Sequence, residues 1–90
     1  MVNKDKKLKA VALKYKPEYI APKVVAKGRG YVAEKIIGKA EENEVPVYKD
    51  AALADELTRV EIGSHIPPEL YEVVAQVLIF INELDKKTNE

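Results

Sequence analysis

A single histidine, His65, stands in this chain, and cysteine is absent altogether. A nucleophile–base pair of the hydroxyl–histidine kind must therefore draw on His65 and the aliphatic hydroxyls of Thr58, Ser64 and Thr88. A nucleophile needs its base within hydrogen-bond reach, with the base itself oriented by a third group. Ser64 directly precedes His65, and that adjacency is a poor geometry for one to activate the other. A metal site needs several converging ligands, and one histidine among dispersed carboxylates does not supply them. The pairs Glu41–Glu42 and Asp55–Glu56 are helix neighbours that point in different directions. They read as solvated surface, and His65 reads as a loop residue ahead of a helix. Nothing in the chain announces a catalytic centre, a metal or a cofactor.

Lys27-Gly28-Arg29-Gly30 precedes a helical pattern and invites a phosphate-binding reading, because helix N-termini attract anions. Neither G-x-G-x-x-G nor the P-loop spacing is completed, however. A strand-to-helix turn that needs positive φ accounts for both glycines. Ile36-Ile37-Gly38-Lys39 begins like the backbone clamp of a KH-type RNA-binding domain, which requires a second glycine at position 41. Glu41 stands there instead and adds negative charge where RNA would lie.

The elements that must position any site follow from periodicity. Val11, Leu13 and Tyr15 alternate as in a half-buried strand, and Lys16-Pro17-Glu18 is a turn signal. Residues 23–27 form a short β-branched strand. Past Gly30 the period changes: Val32, Ile36, Ile37 and Ala40 fall at helical spacing, with Asn43 as the stop. Residues 45–48 read as a third short strand. Asp50 caps a helix whose buried stripe is Leu53, Ala54 and Leu57, and residues 60–63 are a short extended piece. Pro67 and Pro68 suit the opening turn of a last, long helix. Its apolar face carries Leu70, Val74, Val77, Leu78, Ile81 and Leu84, with Lys86 and Lys87 at its negative end. This order predicts an α/β fold, a small mixed sheet with helices packed on it. The third strand returns through a right-handed crossover. Residues 1–7 read as a flexible basic tail, 8–87 as one domain and 88–90 as a C-terminal tail.

Ninety residues, 47% hydrophobic and 33% charged, suit a single globular domain. The longest apolar run, residues 77–81, is far short of the ~18–20 residues a membrane helix needs. Net charge is zero but unevenly spread. Residues 1–30 hold nine Lys or Arg against two acidic residues, a balance of +7, and residues 31–90 balance at −7. Basic arms can mark nucleic-acid contact. Here the lysines alternate with strand residues and no aromatic stacking platform accompanies them, so a solvated strand face is the preferred reading. A small nucleic-acid-binding protein using the basic N-terminal region is the alternative.

Five patterns follow one another along the chain: KAVALKY (9–15), APKVVAKG (21–28), VPVYKD (45–50), VEIG (60–63) and IPPELYEVVAQVL (66–78). In this order they closely resemble the cytoplasmic domain of the FlhB/YscU family, the export-switch proteins of flagella and type III secretion injectisomes. The resemblance implies a four-stranded sheet surrounded by helices. Family members carry Asn-Pro-Thr-His just ahead of the first strand and cut themselves between Asn and Pro. Those four places here hold Asp5, Lys6, Lys7 and Leu8. An ionised Asp5 is a poorer nucleophile for cyclisation, and Lys6 provides no tertiary amide, so no autocleavage and no enzymatic activity are expected.

Family members also place a membrane-spanning region before this domain. A chain opening at Met1 without one is expected to be either a free-standing relative that mimics the cleaved, switched fragment, the preferred reading, or a trimmed piece of a longer member. The resemblance implies a cytoplasmic location, peripheral at the membrane export gate, with no cofactor. It implies export-gate membrane proteins, ATPase-complex or ring components and export substrates as partners. Substrate docking in the family uses small apolar patches. Carried over by position, these are Ala21 and Pro22 before the second strand, and Ala75 and Leu78 on the last helix.

Overall fold

The computed structural model describes residues 8–88. The expected basic tail 1–7, which holds Asp5, Lys6 and Lys7, and residues 89–90 lie outside them. Strand β1 (Lys9–Lys14) and strand β2 (Lys23–Arg29) form an antiparallel hairpin. The register runs from Lys9 opposite Arg29 to Ala12 opposite Ala26, then slips so that Leu13 faces Val24. Val25 is thus an extra residue on β2, a β-bulge. The bulge turns Val24 inward to full burial and leaves Val25 45% exposed. At the end of the hairpin Lys14 stands directly opposite Lys23, a like-charge pair.

Because side chains alternate along a strand, the hairpin has two unlike faces. One carries the small residues Ala10, Ala12, Ala26 and Gly28, with Lys14 and Lys23 at its end. Helix α1 (Tyr31–Glu42) lies on that face and buries Ala33 completely against it. The other carries Lys9, Val11, Leu13, Val24 and Lys27, and receives the remaining helices.

Gly30 enters α1 at φ 58°, the left-handed region that glycine adopts without penalty. Gly28 is different. It lies in ordinary strand conformation, and what it permits is the close approach of Val32. The turn chemistry expected of both glycines therefore holds for Gly30 alone. At the far end Asn43 ends α1, its side-chain amide donating to the Lys39 carbonyl at 2.8 Å. Glu44 N–H bonds the Glu41 carbonyl at 3.2 Å and Val45 N–H the Ala40 carbonyl at 2.8 Å. That pairing is a Schellman stop, and it forces Glu44, not a glycine, to φ 58°. Glu44→Gly is expected to stabilise the domain by about 1 kcal/mol, raising Tm by roughly 4–8 °C. A thermal melt that shows no rise would contradict this account.

On the second face, helix α2 (Ala51–Leu57) begins where Asp50 accepts a 3.0 Å hydrogen bond from Leu53 N–H. Its C-terminal end is held by β2. Lys27 Nζ donates to the Thr58 carbonyl at 3.0 Å and to the Val60 carbonyl at 2.7 Å, neutralising the negative end of the helix. Asp55 pairs with Lys9 of β1 and with Arg59 at 3.3 Å. A 3₁₀ turn (Pro68–Leu70) opens helix α3 (Tyr71–Thr88). The expected C-terminal tail thus loses Thr88 to the helix. Ala21, Val24, Leu57, Ile66 and Val74 form the core between β2, α2 and α3, with Val11, Leu13 and Leu78 packed against it.

The hydrogen bond and charge of Lys9 hold the Asp55 carboxyl below its ordinary value of 3.8, against an opposing desolvation, with Arg59 and Arg29 adding to the effect. A carboxylate with a depressed folded pKa contributes stability above its unfolded pKa and loses it as pH falls through the folded value. Tm is therefore expected to fall as pH drops below about 4, and to fall less steeply in Asp55→Asn. Parallel slopes for the two proteins would remove the Lys9–Asp55 tie from the account.

Among the described residues the sheet has two strands, where a mixed four-stranded sheet was expected. Residues 45–48 form no ladder. Pro46 has no N–H, and the Val45 N–H is taken by the Ala40 carbonyl that closes α1, so neither can donate to a neighbouring strand. The fourth expected piece is displaced along the chain. Not 60–63 but 63–66 lies beside β2, through Gly63 N–H to Val24 O (2.7 Å), Val24 N–H to Ser64 O (3.0 Å) and Ile66 N–H to Pro22 O (2.9 Å). This amounts to one antiparallel bridge, Lys23 with His65. Among the described residues all the pairing is antiparallel, and no crossover strand follows α1.

Candidate functional site

The chain leaves β1 at Tyr15 and turns through Lys16-Pro17-Glu18, with Tyr19 N–H bonded to the Lys16 carbonyl at 2.9 Å. It re-enters the sheet at Ala21 and Pro22, both buried. Tyr19 fixes this loop. Lys23 Nζ lies 4.6 Å from its ring centre, and His65 meets it edge-on at 6.5 Å. The bridge from Pro22 to Ile66 then carries the loop against the start of α3.

Between the loop and α3 lies a groove of about 260 Å³. Ile66 and Val74, 2% and 1% exposed, form its floor. Ala21 and Pro22 line one wall, Ala75 and Leu78 the other. The four positions carried over from the family resemblance thus line one groove, although more than fifty residues of chain separate the two pairs. Ala75 is exposed and Leu78 half-buried.

Four large side chains that sequence reasoning passed over form the lips. They are Tyr15, Ile20, Tyr71 and Ile79, 51%, 86%, 41% and 59% exposed. One signal was available: Ile20 is an isoleucine inside a polar turn, on neither a strand nor a helix period.

The chemistry of this groove is that of binding. Apart from two tyrosine hydroxyls, every lining side chain is a hydrocarbon. Pockets for drug-sized ligands run to ~300–1,000 Å³, so this one suits one or two side chains of a larger partner. His65 and Ser64 are exposed and lie outside it. Among the described residues no group of His, Asp or Glu is placed to hold a metal ion. Three of the basic residues in the first thirty serve the fold: Lys9 pairs with Asp55, Lys27 holds the end of α2, and Lys23 covers Tyr19. No helix among the described residues is long and apolar enough to cross a membrane.

Three comparisons set this geometry among known proteins. The chain is 44% identical over 80 residues to the flagellar biosynthetic protein FlhB of Aquifex aeolicus, covering 87% of this chain but 23% of that protein. It is 40% identical over 79 residues to the uncharacterized protein YlqH of Bacillus subtilis, covering 87% of this chain and 85% of YlqH. The crystal structure of the cytoplasmic domain of FlhB from Shewanella putrefaciens superposes with a TM-score of 0.86 at 33% identity, over 90% of this chain and 68% of that one. The chain therefore spans less than a quarter of the FlhB protein it matches in Aquifex. The model of the FlhB HrpN YscU SpaS family matches residues 8–81, nearly the whole of the described chain, and the chain belongs to that family.

Proposed function

We propose that this chain is a non-enzymatic docking component of the flagellar or type III protein export apparatus, and that its groove receives export substrates. The observation that carries the reading is the meeting of Ala21, Pro22, Ala75 and Leu78 in one hydrocarbon-lined groove. Small wall residues leave room for an incoming side chain, and large exposed lips supply contact area around it. Its further partners are export-gate membrane proteins and ATPase-complex or ring components, met in the cytoplasm at the membrane gate. YlqH, matched over 85% of its length, supports a domain of this size working as its own polypeptide, a counterpart of the switched fragment. The outer edge of β1, which has no ladder partner among the described residues, offers main-chain groups to a strand from such a membrane partner. With Asp5 and Lys6 at the scissile positions the chain stays uncut, and its intact mass checks this.

The decisive experiment is capture of known export components and substrates, from cells carrying such a system, by the tagged protein and by Ala75→Lys. The wild type is expected to retain export proteins, and the variant to lose substrates at least about tenfold while keeping its circular dichroism spectrum. Equal capture by both proteins would sink the groove reading. Capture of no export component by either would sink the proposed role.

A further inference from the structure

We infer that a second groove, on the other flank of α3, receives an amphipathic helix of a partner protein that carries two basic residues one heptad apart with a large apolar residue between them. The site is separate from the hydrocarbon groove and does not rest on the docking reading. Helix α2 and its cap supply Asp50, Ala52, Leu53 and Glu56. The start of α3 and the turn before it supply Val73 and Leu70, and about 230 Å³ lies between the two walls. Residues 52, 53 and 56 share one face of α2 at helical spacing. Residues 70 and 73 lie on one side of the buried Val74 and residues 75 and 79 on the other, so the start of α3 divides the two sites.

The floor is apolar and the rim acidic. Leu53, Leu70 and Val73 are half-buried and packed on the core. Asp50 and Glu56 are the charged residues of the lining, and no Lys, Arg or His joins them. Asp50 is fixed in place, since its Oδ1 accepts from Leu53 N–H at 3.0 Å. Its other oxygen makes no hydrogen bond or ion pair among the described residues. Glu56 meets only Arg59 among them, at 3.7 Å, and Arg59 lies closer to Asp55, at 3.3 Å. Both carboxylates are therefore open to an incoming cation, and the balance of −7 over residues 31–90 adds to the attraction. Six residues separate them, ~9 Å along α2. On a partner helix, positions i and i+7 stand ~10.5 Å apart. Same-face residues of a strand stand ~6.8 Å or ~13.6 Å apart, so the helix fits better. Its i+3 and i+4 side chains then fall between the carboxylates, over Leu53, and the stems of its basic residues lie along the apolar walls.

The test is an NMR titration of the ¹⁵N-labelled chain at low salt with three capped peptides: AAKAALLAAKAAY, AAEAALLAAEAAY and AAKAAAAAAKAAY. The first is expected to shift the amides of Leu53, Glu56 and Val73 and to leave those of Ile20 and Ile79 in place. It should bind about fivefold tighter than the second, a gap that closes at high salt. It should bind about tenfold tighter than the third, which lacks the leucines. D50N/E56Q should abolish the preference for lysine and keep the fold, because asparagine caps a helix as well as aspartate does. Ala75→Lys, which alters only the first groove, should bind the first peptide as the wild type does. Equal affinity for the lysine and glutamate peptides, or a preference that survives D50N/E56Q, overturns the inference. Shifts confined to Ile20, Ala75 and Ile79 overturn it as well, while favouring the docking reading. Silence with all three peptides ends this site and leaves the first groove as it stands.

Discussion

Ile66→Ala is expected to destabilise the domain by about 2–4 kcal/mol, the range for removing a large aliphatic side chain from a closed core. Ile66 is 2% exposed and sits among Ala21, Val24, Leu57 and Val74. Its own N–H reaches the Pro22 carbonyl at 2.9 Å. The side chain is therefore at once core, groove floor and the residue that ties the start of α3 to β2. For a chain of this size the loss corresponds to a fall in Tm of more than about 10 °C. Ile66→Val should cost about 1 kcal/mol, because most of the packing survives. Chemical denaturation of both variants decides it. A loss under about 0.5 kcal/mol for the alanine would mean that α3 is not anchored as described.

Gly28→Val is expected to cost about 1–3 kcal/mol through overpacking. An added Cβ at Gly28 would overlap Val32 Cγ1, sit 2.8 Å from Val32 Cβ and 3.4 Å from its main-chain carbon. The γ-methyl of Val32 can turn away, but its Cβ is fixed to the backbone of α1, so the helix itself must move off the sheet. Adding Val32→Ala to Gly28→Ala should for that reason recover only part of the loss, since alanine keeps the Cβ. Thermal melts of the single and double variants measure this directly. Full stability in Gly28→Val would show that α1 rides more loosely on the alanine face than its buried Ala33 implies.

Local chemistry was the most legible part of the fold. Asp50 caps α2, Asn43 ends α1 and Gly30 turns into it, because each acts through main-chain groups a few residues away. What could not be read depends on partners distant in sequence. The expected strand 45–48 has suitable residues, but the end of α1 takes the Val45 N–H and Pro46 has none to offer. The Val25 bulge hides in a β-branched pair that looks regular in either register. Gly28 owes its identity to a valine four residues on, across a strand–helix packing distance that no spacing reveals. Of the groove, Ala21, Pro22, Ala75 and Leu78 came from family resemblance alone. Tyr15, Ile20, Tyr71 and Ile79 became visible only when the two ends of the chain were brought together.

That meeting of chain ends makes occupancy of the groove a thermodynamic reporter. One side comes from residues 15–22 and the other from 66–79, so the complete site exists only where the two segments are packed together. A segment held across them clasps the hairpin to α3, and its binding free energy is added to that of the native state. At a hundred times its dissociation constant this amounts to about 2.7 kcal/mol, a large fraction of what a chain of this length possesses. An occupant of the groove would then tighten the join between the hairpin and α3.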